Sequence, residues 1–127
     1  MIEEYELNSI FGLDADVWSN AKTQARNILI RTARSQRLIE YAELARLIDA
    51  IEFDPHGTYF RKFLGQLSRE EDLAGRGMIT AIVVHKDDQL PGPGFYTLAA
   101  DLGRDVSDET RCWAQEVERV FNDWRSK

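Results

Sequence analysis

Residues 37–95, RLIEYAELARLIDAIEFDPHGTYFRKFLGQLSREEDLAGRGMITAIVVHKDDQLPGPGF, carry the pattern that decides the fold. Arg37-Leu38-Ile39-Glu40 is a short extended piece, with Ile39 and Tyr41 suited to an edge strand. A helix opens at Tyr41-Ala42-Glu43-Leu44-Ala45 and runs over about 41–51, burying Leu44, Ala45 and Ile48. Asp54-Pro55 interrupts it, because proline has no amide hydrogen to donate and favours the first turn of a new helix. A second helix over about 57–73 places Phe60, Phe63, Leu64 and Leu67 at i, i+3, i+4, i+7, one inward stripe. Met78–Val84 is apolar at nearly every position, which predicts a strand covered on both faces. His85-Lys86-Asp87-Asp88-Gln89 is a polar turn, and Leu90-Pro91-Gly92-Pro93-Gly94 must be loop. This order predicts a winged helix-turn-helix core over about 37–95 in a mainly α (α+β) domain, with added N- and C-terminal helices and a small β-sheet.

Outward from this core, Trp18, Ala21, Ala25, Ile28, Leu29 and Thr32 fall at helical spacing and predict a helix ending near Arg34, capped by Asp14 or Asp16. The lead-in before it offers Tyr5, Leu7, Ile10, Phe11 and Leu13 as anchors onto the domain. Beyond the core, Phe95, Leu98, Ala99 and Leu102 predict a short amphipathic helix stopped by Gly103. The last helix, about 108–126, is capped by Ser107 or Asp108 and turns Trp113, Val117, Val120, Phe121 and Trp124 inward. No repeat or domain boundary interrupts residues 1–127, so a single domain is expected, long enough to bury a core without disulfides or metals.

The formal net charge is -6, which argues against a nucleic-acid binder if the chain is taken whole. The distribution is uneven. Residues 20–69 hold nine Lys/Arg against five Asp/Glu, whereas residues 1–19 carry five acids and no base, and residues 70–127 carry twelve acids against seven bases. The helix-turn-helix is therefore a basic block between acidic flanks, which is the footprint of phosphate contact. One cysteine, an acidic start and no long apolar run lead us to expect a cytoplasmic protein without a membrane partner.

No residues with the spacing of a catalytic site stand out. His56 and His85 are far apart in sequence and lack a second ligand at metal spacing. Cys112 sits at apolar helical spacing and reads as a small core residue. Glu70-Glu71-Asp72 is the densest acidic cluster, but adjacent helical residues diverge by about 100°, so a solvated helix end is expected rather than a metal site. Neither a Gly-rich dinucleotide fingerprint nor a P-loop is present. We expect no catalytic residue, cofactor or metal. Binding residues are easier to nominate. Lys62, Gln66 and Arg69 share the outer face of the helix over 57–73 and are residue types that read base edges. Arg61 beside them and Lys86 on the turn suit phosphate contact. Double-stranded DNA is the expected partner. The alternative is an acidic protein-interaction module, a homodimer or an inhibitor of a partner protein, that does not touch DNA.

The middle of the chain also resembles the winged-helix domain of alkylguanine-DNA alkyltransferases and alkyltransferase-like proteins. Tyr41-Ala42-Glu43-Leu44-Ala45 resembles their helix start, and Phe63-Leu64-Gly65 the apolar–Gly step of their recognition helix. Thr80-Ala81-Ile82-Val83-Val84, with the later Gly94-Phe95, resembles the strand and Gly-rich turn around their reactive cysteine. About 55 of the 127 residues are covered. The resemblance implies the fold and DNA contact through the third helix, where Lys62 lies near the family's intercalating arginine. It does not imply transferase activity: Thr80 stands at the thiol position and Ala81 at the histidine position, so nucleophile and base are both missing.

Overall fold

Trp18, Phe60 and Phe63 are the largest of the fully buried side chains. In the computed structural model, which describes residues 15–125, Trp18 meets Phe63 edge-on at 5.2 Å and Phe53 edge-on at 6.2 Å between ring centroids. Such edge-to-face contacts put ring hydrogens against π-faces and favour fixed orientations. Around this cluster the described residues are mainly helical, with one two-stranded parallel sheet among them. The anchors expected at Tyr5, Leu7, Ile10, Phe11 and Leu13, and the Asp14 cap, lie outside the described residues.

Helix α1 (Ala15–Arg34) buries Trp18, Ala21, Ala25, Ile28, Leu29, Ile30 and Ala33. Its alanines let neighbouring elements approach closely. Strand β1 (Ile39–Glu40) leads directly into α2 (Tyr41–Leu47). Helix α3 (Thr58–Leu73) buries Phe60, Phe63, Leu64 and Leu67 as its spacing predicts. A 3-10 turn (Ile79–Ile82) then leads into strand β2 (Val83–Val84), which pairs parallel to β1 with Ile39 opposite Val83 and Glu40 opposite Val84. Helix α4 (Pro93–Asp101) carries its proline in the first turn, where no donor is needed, and ends before Gly103 at φ +88°, a left-handed position that glycine takes without steric cost. Helix α5 (Glu109–Trp124) starts at Asp108, whose carboxylate accepts from Arg111 N–H at 3.1 Å. No helix among the described residues is long and apolar enough to cross a membrane.

Two elements differ from their sequence reading. Helix α2 stops at Leu47 rather than near residue 51, because the Gln24 side-chain carbonyl of α1 accepts from Asp49 N–H at 3.0 Å and Ala50 N–H at 2.9 Å. With those amides satisfied from outside, the chain runs on non-helically and drives Ile48, Ile51 and Phe53 into the core. The stretch 78–84 is not one strand. Its backbone is held by side chains: Met78 N–H donates to Glu116 at 2.7 Å, Thr80 N–H donates to Ser68 Oγ at 3.1 Å, and Ala81 O accepts from the Trp113 indole at 2.8 Å. A buried apolar run pays no penalty for coiling once its polar groups have partners. This segment packs against α1, α3 and α5 together.

The acidic end of α3 is also not a solvated helix end. Glu71 is 3% exposed and accepts from Arg26 (3.1 Å) and from Arg76 (2.8 and 3.2 Å). Glu70 pairs with Lys22 at 2.7 Å and Asp72 with Arg104. Arg104 continues to Glu116, 4% exposed, with contacts of 2.9 and 3.2 Å. Burying Glu116 turns the inner face of α5 to Cys112, Glu116, Val120 and Trp124, leaving Trp113, Val117 and Phe121 half-buried rather than central. Cations from α1, the 75–77 loop and the α4–α5 loop thus converge on α3 and α5, where charge-assisted bonds replace the lost hydration.

Candidate nucleic-acid interface and cleft

The exposed side of α3 forms one wall of an open cleft of about 1070 Å³. The opposite wall is α4, and the loops before α3 and after β2 close the ends. Its floor is apolar, from Leu64, Phe95 and Leu98, with Gly65 giving a smooth helix surface where no Cβ projects. A Cβ at Gly65 would meet nothing within 4 Å, so nothing in the structure explains a glycine here, which inside a helix costs about 1 kcal/mol against alanine.

Local chemistry positions the aromatic end. Tyr41, the first residue of α2, is brought under the 85–94 loop by the β1–β2 pairing. Its hydroxyl oxygen accepts from Gly92 N–H at 3.1 Å, and its ring lies 4.7 Å from that of His85. Burial pushes the Tyr41 phenol above its usual range, opposed by the Gly92 hydrogen bond and by the charge of Arg61. The His85 turn is closed by Leu90 O accepting from His85 N–H and by His85 O accepting from Gln89 N–H, both at 2.9 Å. His56, held by the Asp54 turn through its own N–H at 3.0 Å, lies parallel to His85 with ring centroids 6.3 Å apart. A Cβ at Gly92 would come within 3.2 Å of His85 Nε2, so the loop packs tightly on the ring.

Thr80, on the 3-10 turn, lines the cleft beside α3. Its Oγ1 is 2.6 Å from Ser68 Oγ, and its N–H donates to the same oxygen. Among the described residues, this hydroxyl is tied to serine rather than to either histidine. Cys112 is buried in α5 and burial pushes its thiol up, which disfavours a reactive thiolate. No group of three or more His, Cys, Asp or Glu among the described residues is positioned to hold a metal ion.

The structure separates the residues nominated from the sequence. Arg61 and Lys62 are exposed and line the cleft mouth, with Arg61 donating to Thr58 Oγ1 at 3.1 Å. Arg69 lines the far end and is exposed, paired with Asp101 at 2.6 Å. Gln66 goes the other way: half-buried, its side-chain oxygen accepts from the Trp18 indole at 2.8 Å, on the flank covered by α1. Lys62, Gln66 and Arg69 therefore do not present a single shared face, because α1 occupies part of the angular range that the helical wheel left open. Lys86 is exposed on the turn outside the cleft lining, its carbonyl accepting from Gln89 Nε2 at 3.2 Å. Tyr41, His56, Thr80 and His85 were not nominated. No spacing signals them, since Tyr41 and Gly92 meet across 51 positions.

Comparison with protein-family models, curated proteins and solved structures returned no match to this chain.

Proposed function

We propose that this protein is a non-enzymatic DNA-binding module of the winged-helix type, with the N-terminal half of α3 as its contact surface. The observation that carries the reading is how charge segregates along that helix. Its acids Glu70, Glu71 and Asp72 are each compensated by cations from other elements, while Arg61 and Lys62 remain exposed without an acidic partner among the ion pairs of the described residues. The outward field of α3 is thus positive at its start, despite the net charge of the chain.

In this reading Arg61 and Lys62 contact backbone and base edges, Arg69 exchanges Asp101 for a phosphate, and Lys86 touches backbone from the turn. Gln66 supports α3 through Trp18 rather than reading a base. The shared fold with alkyltransferase-like proteins belongs to the same proposal, supported by the helix opening at Tyr41, the α2–α3 pair and the buried 79–84 segment. Thr80 in place of the thiol keeps the reading non-enzymatic.

The test is duplex binding by fluorescence anisotropy across a salt series. Counterion release predicts that log Kd rises steeply with log salt, and that Arg61→Ala with Lys62→Ala lowers the slope by about 2. Absence of binding at low salt, or a slope the double variant leaves unchanged, would reject the proposal.

A further inference from the structure

We infer that the cleft between α3 and α4 is a binding site for a free mononucleotide, with the base over the apolar floor near Thr80 and the phosphate at Arg61 and Lys62. The inference starts from the hydroxyl pair. Ser68 is 0% exposed, and its oxygen already accepts Thr80 N–H. A buried hydroxyl hydrogen needs an acceptor, and Thr80 Oγ1 at 2.6 Å supplies it. With Ser68 as the donor of this bond, the hydrogen of Thr80 turns into the cleft beside the apolar floor made by Leu64, Phe95 and Leu98. A hydroxyl donor beside an apolar bed suits a planar ring with an acceptor on its edge.

The cations lie at the other end. Arg61 and Ser68 are seven positions apart on α3, so the helical rise separates them by about 10 Å. That span matches a nucleotide from base edge to phosphate and is too long for a benzoate-sized acid or for inorganic phosphate alone. The volume of about 1070 Å³ accommodates a nucleotide with water around it. The His56 ring adds an aromatic edge beside the cationic mouth. Arg69 must first give up Asp101 to take an anion, whereas Arg61 and Lys62 displace no acid, which places a single phosphate at the Arg61 end.

This inference stands apart from duplex recognition, since it concerns a monomeric ligand and a different measurement. Isothermal titration of the whole protein with adenosine and guanosine 5′-monophosphate is expected to give saturable one-site binding. Adenosine and ribose 5-phosphate, which each lack one half of the ligand, should bind roughly tenfold or more weaker, as loss of a charged hydrogen bond or of ring burial requires. Arg61→Ala should weaken the nucleotide by a similar factor and Arg34→Ala, an exposed charge on α1, should not. Thr80→Val, checked for folding by circular dichroism, should weaken it several-fold; if that variant does not fold, the Arg61→Ala arm decides alone. The inference is overturned if millimolar nucleotide gives no saturation, if ribose 5-phosphate binds as well as the nucleotide, or if Arg61→Ala binds like the parent.

Discussion

Replacing Glu116 by leucine tests the buried charge network most directly. Glu116 accepts from Met78 N–H at 2.7 Å and from two nitrogens of Arg104 at 3.2 and 2.9 Å. Leucine has similar bulk and accepts nothing. Met78 is fully buried, so its amide becomes an orphan at about 1–3 kcal/mol. The Arg104 side chain is 14% exposed and keeps Asp72 and the Leu102 carbonyl as partners. Stripping one partner from a buried pair costs about 3–5 kcal/mol when nothing remains, so with Asp72 in place roughly half of that applies. The sum is about 4 kcal/mol, a large share of the 5–15 kcal/mol typical of a domain. For a chain of this length it corresponds to a fall in Tm of about 15 °C. Glu116→Gln keeps one acceptor oxygen and should cost about half as much. Urea unfolding followed by circular dichroism measures both. A leucine variant within about 1 kcal/mol of the parent, or a glutamine variant equally damaged, would refute the assignment of Glu116 as the acceptor that holds the 78–84 segment.

Glu71 predicts a pH dependence. Burial alone would raise its carboxyl, but the hydrogen bonds and charges of Arg76 and Arg26 outweigh this and hold it below its ordinary value. A depressed folded-state value contributes stability that is complete above the unfolded carboxylate range, about pH 4.3, and disappears as pH falls through the folded value. Thermal melts should lose stability below about pH 5, and Glu71→Gln should flatten that arm while lowering Tm at pH 7; parallel curves would refute it. Trp18→Ala removes the ring that meets Phe53 and Phe63 and the donor to Gln66, so a loss of about 3–5 kcal/mol in urea unfolding is expected. Tyr41→Phe leaves Gly92 N–H without its acceptor and should cost about 1 kcal/mol, with faster hydrogen exchange at Gly92 as the specific sign; unchanged exchange would contradict the bond.

Elements with strong periodicity were legible in the chain. The stripes of α1 and α3 are spaced so that only a helix brings them together, and Gly103 and Asp108 mark a helix stop and a helix start by local stereochemistry alone. What escaped depended on contacts between distant residues. The apolar run 78–84 looks alike as a strand or a coiled buried segment, and the choice rests on Ser68, Trp113 and Glu116 supplying partners. Glu71 read as solvated because the cations that justify its burial lie 45 and 5 positions away. The cleft itself was not expected: Arg61, Lys62 and Arg69 were nominated for DNA contact from the polar side of one helix and prove to line it, but the approach of His56 to His85 follows from the β1–β2 pairing and the two loops beside it. Gln66 was misplaced for a related reason, since a helical wheel does not show that α1 lies against that flank.

The parallel pair β1–β2 restricts how anything can attach to this molecule. Each strand is two residues long, and Val83 and Val84 are wholly covered. An incoming extended peptide would find too few open amides and carbonyls along such a margin to continue the ladder, which is the usual route to strand-swapped pairs and fibres. Whatever docks here must be recognised by side chains and helix surface rather than by adding a further strand.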